Sequence, residues 1–191
     1  MEVLAISGTP RPGGNTELLI EAALEPFKEK SWEVTRFLLS TRTVAPCDGC
    51  DICLQTDECV IRDDMDLLYE KFASCDAIII ASPVYYRNVS AQLKAVFDRH
   101  HALVRSKPLT GKPGGAIVVG GGTNGGQSLA LMIIYNFFLS AGALAVPGAR
   151  NGVSVVADKP GDVLAQPDRL KQARILGENV LKYATLLRSD Q

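Results

Sequence analysis

The chain has 191 residues, of which 21% are charged, and a formal net charge of −1. This balance gives no electrostatic basis for binding nucleic acid or an anionic membrane, so we expect a redox protein or a small molecule as partner. The length suits a single domain, expected to span residues 1–191. The N-terminus has no basic region or cleavage site, and the cysteine run described below needs reduced thiols, so a cytoplasmic location is expected.

The first apolar run, residues 3–6, is followed by a polar loop and then by an amphipathic helix. A run without polar alternation is typical of a parallel strand that is covered on both faces. We expect Asn15 or Thr16 to be the N-cap of the helix, and Pro26 to kink or end the helix near residues 22–25.

The loop at residues 7–16 is predicted to bind a phosphate. Backbone N–H groups and the positive end of a helix dipole favour an anion at such a position. The Walker pattern for a triphosphate is absent. Four side chains suit a terminal monophosphate instead: Ser7, Thr9, Arg11 and Thr16. The alternative is an ordinary strand-to-helix turn, although such turns are usually shorter.

Residues 32–38 predict a second strand at a sheet edge, and a cysteine-rich loop follows it at residues 44–62. Four of the five cysteines form a C-x2-C-x2-C-x5-C pattern: Cys47, Cys50, Cys53 and Cys59. Closely spaced thiolates of this kind suit a compact loop around a [4Fe-4S] cubane. In the bacterial ferredoxin run of similar spacing the fourth cysteine binds a second cluster, but this chain has no second set, so Cys59 would close the same site.

Zinc, a disulfide framework and the absence of any metal are the alternatives for this loop. Zinc sites usually consist of two separated C-x2-C pairs, and disulfide frameworks belong to small secreted domains. Four acidic residues crowd the loop, and their charge should lower the reduction potential of a cluster: Asp48, Asp51, Asp57 and Glu58.

A short helix follows, and three acids at its start are expected to cap it rather than to act in catalysis: Asp63, Asp64 and Asp66. Residues 77–81 form the clearest buried strand, and Cys75 before it is expected to be a small core residue. The loop after this strand, residues 82–90, contains an aromatic pair, and Ser90 is expected to cap the next helix.

His100 and His101 end that helix as adjacent residues. Neighbouring residues on a helix point in different directions, so they cannot form a matched i, i+4 pair of ligands. We expect both to be surface or interface histidines.

Residues 116–119 predict the fourth strand, which leads into a glycine-rich loop at residues 120–126. Gly120, Gly122 and Gly125 match G-x-G-x-x-G, but the match does not follow the first strand and no acid lies at the ribose-binding offset. A loop that lets a planar ring approach the backbone is the better interpretation.

Residues 127–141 predict a helix that is apolar on nearly all sides and too short to span a bilayer. The surface of a monomer does not usually carry such a helix, so we expect it to pack against another subunit. Residues 153–157 predict the fifth strand and residues 168–187 the closing helix.

Five strands alternating with helices predict an α/β fold with a doubly wound parallel sheet. Ligands bind at the carboxyl edge of such sheets. The phosphate, aromatic and glycine loops follow strands one, three and four, so all three lie at that edge, where the cysteine-rich loop also begins. Together they indicate a mononucleotide with a large flat ring, FMN rather than ATP or NAD.

Three segments resemble the NADPH-dependent FMN reductase branch of the flavodoxin-like fold: Ser7-Gly8-Thr9-Pro10-Arg11 with Asn15-Thr16, Ser82-Pro83-Val84-Tyr85-Tyr86 with Asn88-Val89, and Leu109-Thr110-Gly111-Lys112-Pro113. With the cysteine run added, the chain resembles the iron-sulfur flavoprotein family over essentially its whole length. The resemblance implies a five-stranded sheet of order 2-1-3-4-5 with the cysteine-rich loop after strand 2.

The resemblance also implies FMN and a [4Fe-4S] cluster as cofactors, the cluster on Cys47, Cys50, Cys53 and Cys59. The implied FMN-binding residues are Ser7, Thr9, Arg11, Asn15, Thr16, Pro83, Val84, Tyr85, Tyr86, Asn88, Gly120, Gly121, Gly122, Thr123 and Gly125. No catalytic side chain is expected, because the redox chemistry belongs to the cofactors.

Members of this family are taken to be oligomeric electron carriers. The resemblance therefore implies a homodimer or homotetramer, a ferredoxin-like electron donor and a small acceptor such as dioxygen or peroxide. Because strand two is a sheet edge, we hypothesise that the cluster serves a flavin across a subunit interface. Two rival functions are an NAD(P)H-dependent FMN or quinone reductase without a functional cluster, and a non-catalytic flavin or zinc redox-sensing module.

Overall fold

The computed structural model describes residues 1–189, so residues 190–191 of the expected domain lie outside the described residues. In the described chain, six strands form one parallel sheet. They are β1 (Glu2–Ser7), β2 (Glu33–Leu38), β3 (Ala77–Pro83), β4 (Pro113–Gly120), β5 (Leu144–Ala145) and β6 (Val153–Val156). The order β2-β1-β3-β4-β5, with β6 also paired to β4, confirms the predicted flavodoxin-like sheet.

Two short strands share the fifth position of the sheet. β5 pairs with Pro113 and Gly114, whereas β6 pairs with residues 117–120 of the same strand β4. Since β3 occupies the other edge of β4, β5 and β6 lie one after the other along one edge. The sequence predicted only β6, because two residues are too few to give β5 a recognisable pattern.

Helices cover both faces of the sheet. In residues 1–189 they are α1 (Asn15–Glu29), α2 (Cys53–Thr56), α3 (Met65–Ser74), α4 (Ala91–Arg99), α5 (Gln127–Ser140) and α6 (Pro167–Ser189), with 3-10 turns at His100–Leu103 and Asp162–Ala165. α1 and α6 pack on one face of the sheet, and α3, α4 and α5 pack on the other. Each face carries one buried apolar cluster between the sheet and its helices. No described helix is long and apolar enough to cross a bilayer.

α1 continues through Pro26 to Glu29, so the helix does not end near residues 22–25, and the alternative of a kink there stays a prediction. A proline inside a helix costs about 3 kcal/mol. Leu19, Ala23 and Phe27 bury fully on the same helix, and each large apolar side chain contributes about 1.5–3 kcal/mol, which outweighs that cost. Close packing helps, because Gly177 of α6 approaches so near that a Cβ there would collide with the Ala23 carbonyl.

α5 is the over-apolar helix that the sequence predicted. Ala130, Ile134 and Phe138 are buried against the sheet. The opposite side exposes three large apolar side chains: Leu129, Met132 and Leu139. This exposed stripe supports the expected contact with another subunit, which stays a prediction.

Candidate functional site

A cavity of about 310 Å³ lies at the carboxyl edge of the sheet, where the loops after β1, β3, β4 and β6 meet. Eight of the predicted FMN-binding residues line it: Thr9, Arg11, Asn15, Thr16, Pro83, Val84, Tyr85 and Gly121. The strands place these loops together because β1 lies between β2 and β3, and β3 lies beside β4. The fold therefore joins the predicted phosphate and aromatic loops in one cavity.

Ser7, the last residue of β1, is fully buried and does not line the cavity directly. Within the described chain, its Oγ has no hydrogen-bond partner. A buried hydroxyl left without a partner costs about 1–3 kcal/mol, so such an atom in a folded protein calls for a bonding group that the chain itself does not supply. Because the cavity does not reach this hydroxyl, the phosphate-binding role predicted for Ser7 stays a prediction.

The N-terminus of α1 opens on the same cavity. Its N-cap is Gly14 rather than the predicted Asn15 or Thr16, and in the part of the chain that the structure describes no side chain caps it. The first helical turn leaves backbone N–H groups without intrahelical partners. The carboxylate of Glu17 satisfies only one nearby group, accepting a hydrogen bond from the Gly13 N–H at 2.7 Å. The remaining groups suit an anion.

Asn15 and Thr9 also have structural roles. The Asn15 amide donates to the Lys159 carbonyl at 2.8 Å, and its oxygen accepts a hydrogen bond from the Val163 N–H at 3.3 Å. Asn15 thereby holds the loop after β6 against the start of α1. Thr9 Oγ1 accepts a hydrogen bond from the Arg11 N–H at 3.1 Å, which fixes the turn and leaves the hydroxyl proton free to donate.

The aromatic loop forms a strained turn. Tyr85 and Asn88 exchange backbone hydrogen bonds of 2.9 and 3.0 Å. Between them, Tyr86 and Arg87 have φ angles of 47° and 64°, in the left-handed region that residues other than glycine rarely adopt. Such residues cost about 1–2 kcal/mol each, and strain of this kind clusters at ligand sites. Tyr85 lines the cavity, whereas Tyr86 is fully exposed and Asn88 is not part of the lining.

The glycine loop contributes Gly121 alone of its predicted residues to the cavity. The other four lie outside the lining: Gly120, Gly122, Thr123 and Gly125. Gln127 orders this loop, because its side-chain amide donates to the Gly122 carbonyl at 2.7 Å. A Cβ at Gly120 would lie 2.6 Å from the same amide, so a larger residue there would displace the Gln127 side chain.

Further residues that the sequence analysis did not predict also line the cavity: Pro12, Gly14, Val119, Ala157, Asp158 and Pro160. Ala157 and Asp158 follow β6. Because every strand of a parallel sheet ends at the same edge, the carboxyl end of the predicted fifth strand was the signal that could have found them.

The four predicted cluster cysteines line one small pocket, beside residues 98–102 at the end of α4. Burial raises the pKa of Cys53, and the thiols of Cys59, Cys47 and Cys50 raise it further. The Gly49 N–H donates to Cys47 Sγ at 3.4 Å. The fold therefore gathers all four thiols.

In residues 1–189, no group of three or more His, Cys, Asp or Glu side chains is placed to hold a single metal ion. The choice between a [4Fe-4S] cluster and zinc at the four cysteines therefore stays a prediction.

The cysteine pocket and the cavity lie at opposite ends of α4. Ser90 caps the start of α4, as predicted, and its hydroxyl donates to the Gly8 carbonyl in the phosphate loop at 2.5 Å. Arg99 ends the same helix and lines the cysteine pocket. Nine helical residues span about 13 Å. The cysteine segment thus starts at the carboxyl edge, but its thiols lie away from the flavin loops of the same chain.

The predicted capping acids anchor the cysteine segment. Asp63 accepts a hydrogen bond from the Met65 N–H at 2.9 Å at the start of α3, and its second oxygen accepts one from the Ala45 N–H at 2.8 Å. Asp64 accepts a hydrogen bond from the Thr43 N–H at 2.8 Å. Burial acts to raise the pKa of Asp63, but the hydrogen bonds from the Ala45 and Met65 N–H groups, together with Arg99, lower it.

Arginines pair with two of the acids that crowd the cysteines. Asp57 contacts Arg105 and Glu58 contacts Arg62, each at 3.2 Å, and all four side chains are exposed. Exposed pairs are strongly screened by water. The predicted lowering of a cluster potential by these acids remains a prediction.

His100 is buried, so its expected surface or interface position was wrong. Its ring packs edge-on against two phenylalanine rings: the centroid of His100 lies 5.2 Å from that of Phe72 and 5.0 Å from that of Phe137. Burial lowers the pKa of His100 to about 4, because the low-dielectric site disfavours the charged form. His101 is exposed as expected, and Cys75 is buried in the core as predicted.

The chain is similar to flavoproteins of known families. Residues 1–156 match the protein family described as NADPH-dependent FMN reductase. An iron-sulfur flavoprotein from Methanocaldococcus jannaschii is 40% identical over 192 residues, 98% of this chain and 100% of that protein. One from Methanosarcina thermophila is 46% identical over 147 residues, 76% of this chain and 77% of that protein. The structure of a WrbA-like flavodoxin from Agrobacterium tumefaciens superimposes with a TM-score of 0.70 and 18% identity over 97% of both chains, which shows the fold alone.

The sheet, the cavity at its carboxyl edge and the family match define an FMN-dependent oxidoreductase of the flavodoxin-like class. Within that class, the chain belongs to the iron-sulfur flavoprotein family, as the sequence resemblance predicted. Because an oxidoreductase is an enzyme, the alternative of a non-catalytic redox-sensing module is set aside.

Proposed function

We propose that this protein transfers electrons between a [4Fe-4S] cluster and FMN. The observation that carries the proposal is the presence, on one chain, of a cavity lined by eight of the residues expected to bind FMN and a pocket lined by the four-cysteine run. The names of its relatives support both halves, since the matching family is described by FMN and the two archaeal relatives by iron and sulfur.

On the flavin side, the chain offers a phosphate site and a ring site. The Arg11 guanidinium and the N–H groups at the start of α1 would bind the phosphate. Tyr85 would lie beside the ring, and Gly121 would let the ring approach the backbone. These residues bind and orient, and no side chain is assigned a proton-transfer step.

On the iron-sulfur side, Cys47, Cys50, Cys53 and Cys59 would hold the cluster. When bound, FMN supplies two-electron chemistry and the cluster one-electron chemistry. Cys47 and Cys50 are exposed, which supports access by a protein electron donor. A ferredoxin-like donor, dioxygen or peroxide as acceptor and a cytoplasmic location are part of the proposal and rest on the family resemblance.

We propose further that the cluster serves the FMN of a neighbouring subunit. Within one chain the two pockets lie at opposite ends of α4, and α5 exposes the apolar stripe Leu129, Met132 and Leu139. A homodimer or homotetramer formed through this stripe would cover it and give the cysteines a second flavin to serve.

The test is anaerobic purification followed by a visible spectrum and chemical analysis. We expect bound FMN, about four irons and four sulfides per chain, and absorbance that bleaches with dithionite. FMN without iron and sulfide would refute electron transfer to a cluster. Sedimentation that shows a stable monomer would refute transfer between subunits.

A second candidate is an NAD(P)H-dependent FMN or quinone reductase without a functional cluster. It is favoured by the description of the matching family, which names NADPH, and by a match that covers residues 1–156. Rapid NAD(P)H oxidation by protein from which iron has been removed would support this candidate. Turnover that needs the cluster would contradict it.

A further inference from the structure

One ion pair closes the base of the cysteine segment. Arg99 Nη1 contacts Asp63 Oδ2 at 2.5 Å, and the two side chains are 0% and 12% exposed. Arg99 Nη2 donates to the Ile61 carbonyl at 2.7 Å, and the Ala45 N–H donates to Asp63 at 2.8 Å. Ala45, which precedes the first cluster cysteine, and Ile61, which follows the last one, are therefore both hydrogen-bonded to this one ion pair.

The guanidinium also faces the cysteines. Arg99 lines the pocket that the four cysteines share. Its Nε is buried and, among the residues that the structure describes, has no partner that meets hydrogen-bond geometry. Burial acts to lower the pKa of Arg99, but its interactions with Asp63 and Cys59 raise it. A buried guanidinium stays charged, because arginine does not lose its proton in proteins.

We propose that Arg99 is a positioning residue for the cluster, which holds the cysteine segment closed and raises the reduction potential of the cluster by placing a buried positive charge beside Cys59. The inference rests on the proposed cluster. An added electron is stabilised by a nearby cation, and the effect is strong only where water does not screen it. Asp63, the partner of Arg99, acts in the opposite direction.

The other charged pairs around the pocket differ in exposure. Arg105 and Asp57 lie 3.2 Å apart near the same segment, but their side chains are more than half exposed, so solvent screens them. Arg105 is therefore a matched control, since it carries the same group and contacts the cysteine segment through Asp57 without burial.

The experiment is an anaerobic redox titration of the cluster, followed by electron paramagnetic resonance, in three variants. We expect a more negative midpoint potential for Arg99→Gln, a more positive one for Asp63→Asn, and a much smaller shift for Arg105→Gln. A purely structural ion pair would not give shifts of opposite sign, because loss of either partner opens the same segment. Shifts of the same sign, or no shift in either variant, would overturn the inference.

Two further measurements keep the test decisive. Arg99→Lys keeps the charge but loses the forked geometry, so we expect a potential near that of the wild type and faster loss of iron. If Arg99→Gln does not retain iron, the test rests on Asp63→Asn alone. A midpoint potential of the Asp63→Asn cluster that equals that of the wild type, or is more negative, then overturns the inference. Iron and sulfide are measured first in the wild type: their absence refutes the proposed function as well, whereas a loaded wild type with unshifted variants refutes only the role of Arg99.

Discussion

The flavin cavity and the cysteine pocket are built on different physical bases. The cavity lies where four strand ends meet, so the central sheet places its loops whatever the loops contain. The cysteine pocket lies beyond an edge strand, on a segment whose one helix, α2, has four residues. That segment is held by hydrogen bonds to Asp63 and Arg99 rather than by a core of its own. Changes in one region should therefore leave the other intact.

The largest expected effect is the loss of one cofactor without the other. Cys50→Ala removes one of four cluster ligands at an exposed position, so we expect cluster content to fall close to zero while FMN content stays near that of the wild type. Cys75→Ala is the control, because Cys75 is a buried core residue and should keep both cofactors. Equal losses of FMN and iron in Cys50→Ala would show that the two regions are not independent.

The next effect is an acid sensitivity on the cysteine side. The pKa of His100 is lowered from 6.5 to about 4. Between pH 6.5 and 4 its imidazole is therefore mostly protonated in the unfolded chain and mostly neutral in the folded chain. Stability from this group is complete above pH 6.5 and falls as the pH drops towards 4, by about 3 kcal/mol in total. Urea unfolding across this range measures how the free energy of unfolding changes with pH. His100→Leu should lose the part of this pH dependence that His100 contributes, and His101→Gln should keep it. An unchanged pH dependence in His100→Leu would contradict the assignment.

A smaller effect should be confined to the flavin side. A Cβ at Gly8 would lie 2.9 Å from Leu93 Cβ, so Gly8→Ala should push the phosphate loop away from the start of α4. We expect a loss of about 2 kcal/mol in stability and weaker FMN binding, with iron content preserved. Gly122→Ala is the control, because a Cβ there meets no atom within 4 Å. FMN affinity that is equal in the two variants would refute the role of Gly8.

The smallest effect concerns the strain in the aromatic turn. Arg87→Gly should raise the free energy of unfolding by about 1 kcal/mol, because glycine adopts a positive φ without penalty. Arg87→Ala keeps the Cβ and should bring no such gain. Denaturant unfolding of the FMN-free proteins measures both, and an equal effect of the two variants would show that the turn is not strained.

The sequence predicted the parts that depend on local pattern. The buried runs predicted the doubly wound parallel sheet, and the loops after strands one, three and four predicted most of the cavity. The strand order came from the family resemblance. Ser90 was predicted as a cap because serine before a helical stripe has a local cause. These predictions succeeded because a buried strand, the polar loop after it and a helix cap are each determined by a few neighbouring residues.

Long-range contacts account for the rest. Pro26 was expected to kink or end α1, but the helix continues past it, because packing against α6 through Gly177 favours the helical conformation. His100 was expected at the surface, but Phe72 and Phe137 bury it. Arg99 gave no signal in the sequence, because its partners lie 36 and 38 residues away. Such pairings appear only when the chain is folded.

The central claim is that one chain carries both FMN and a [4Fe-4S] cluster that exchange electrons. An anaerobic titration with dithionite, followed in the visible spectrum, counts the electrons that each chain accepts. About three per chain are predicted, two for FMN and one for the cluster. An uptake of about two, with only the flavin bands changing, would contradict the claim.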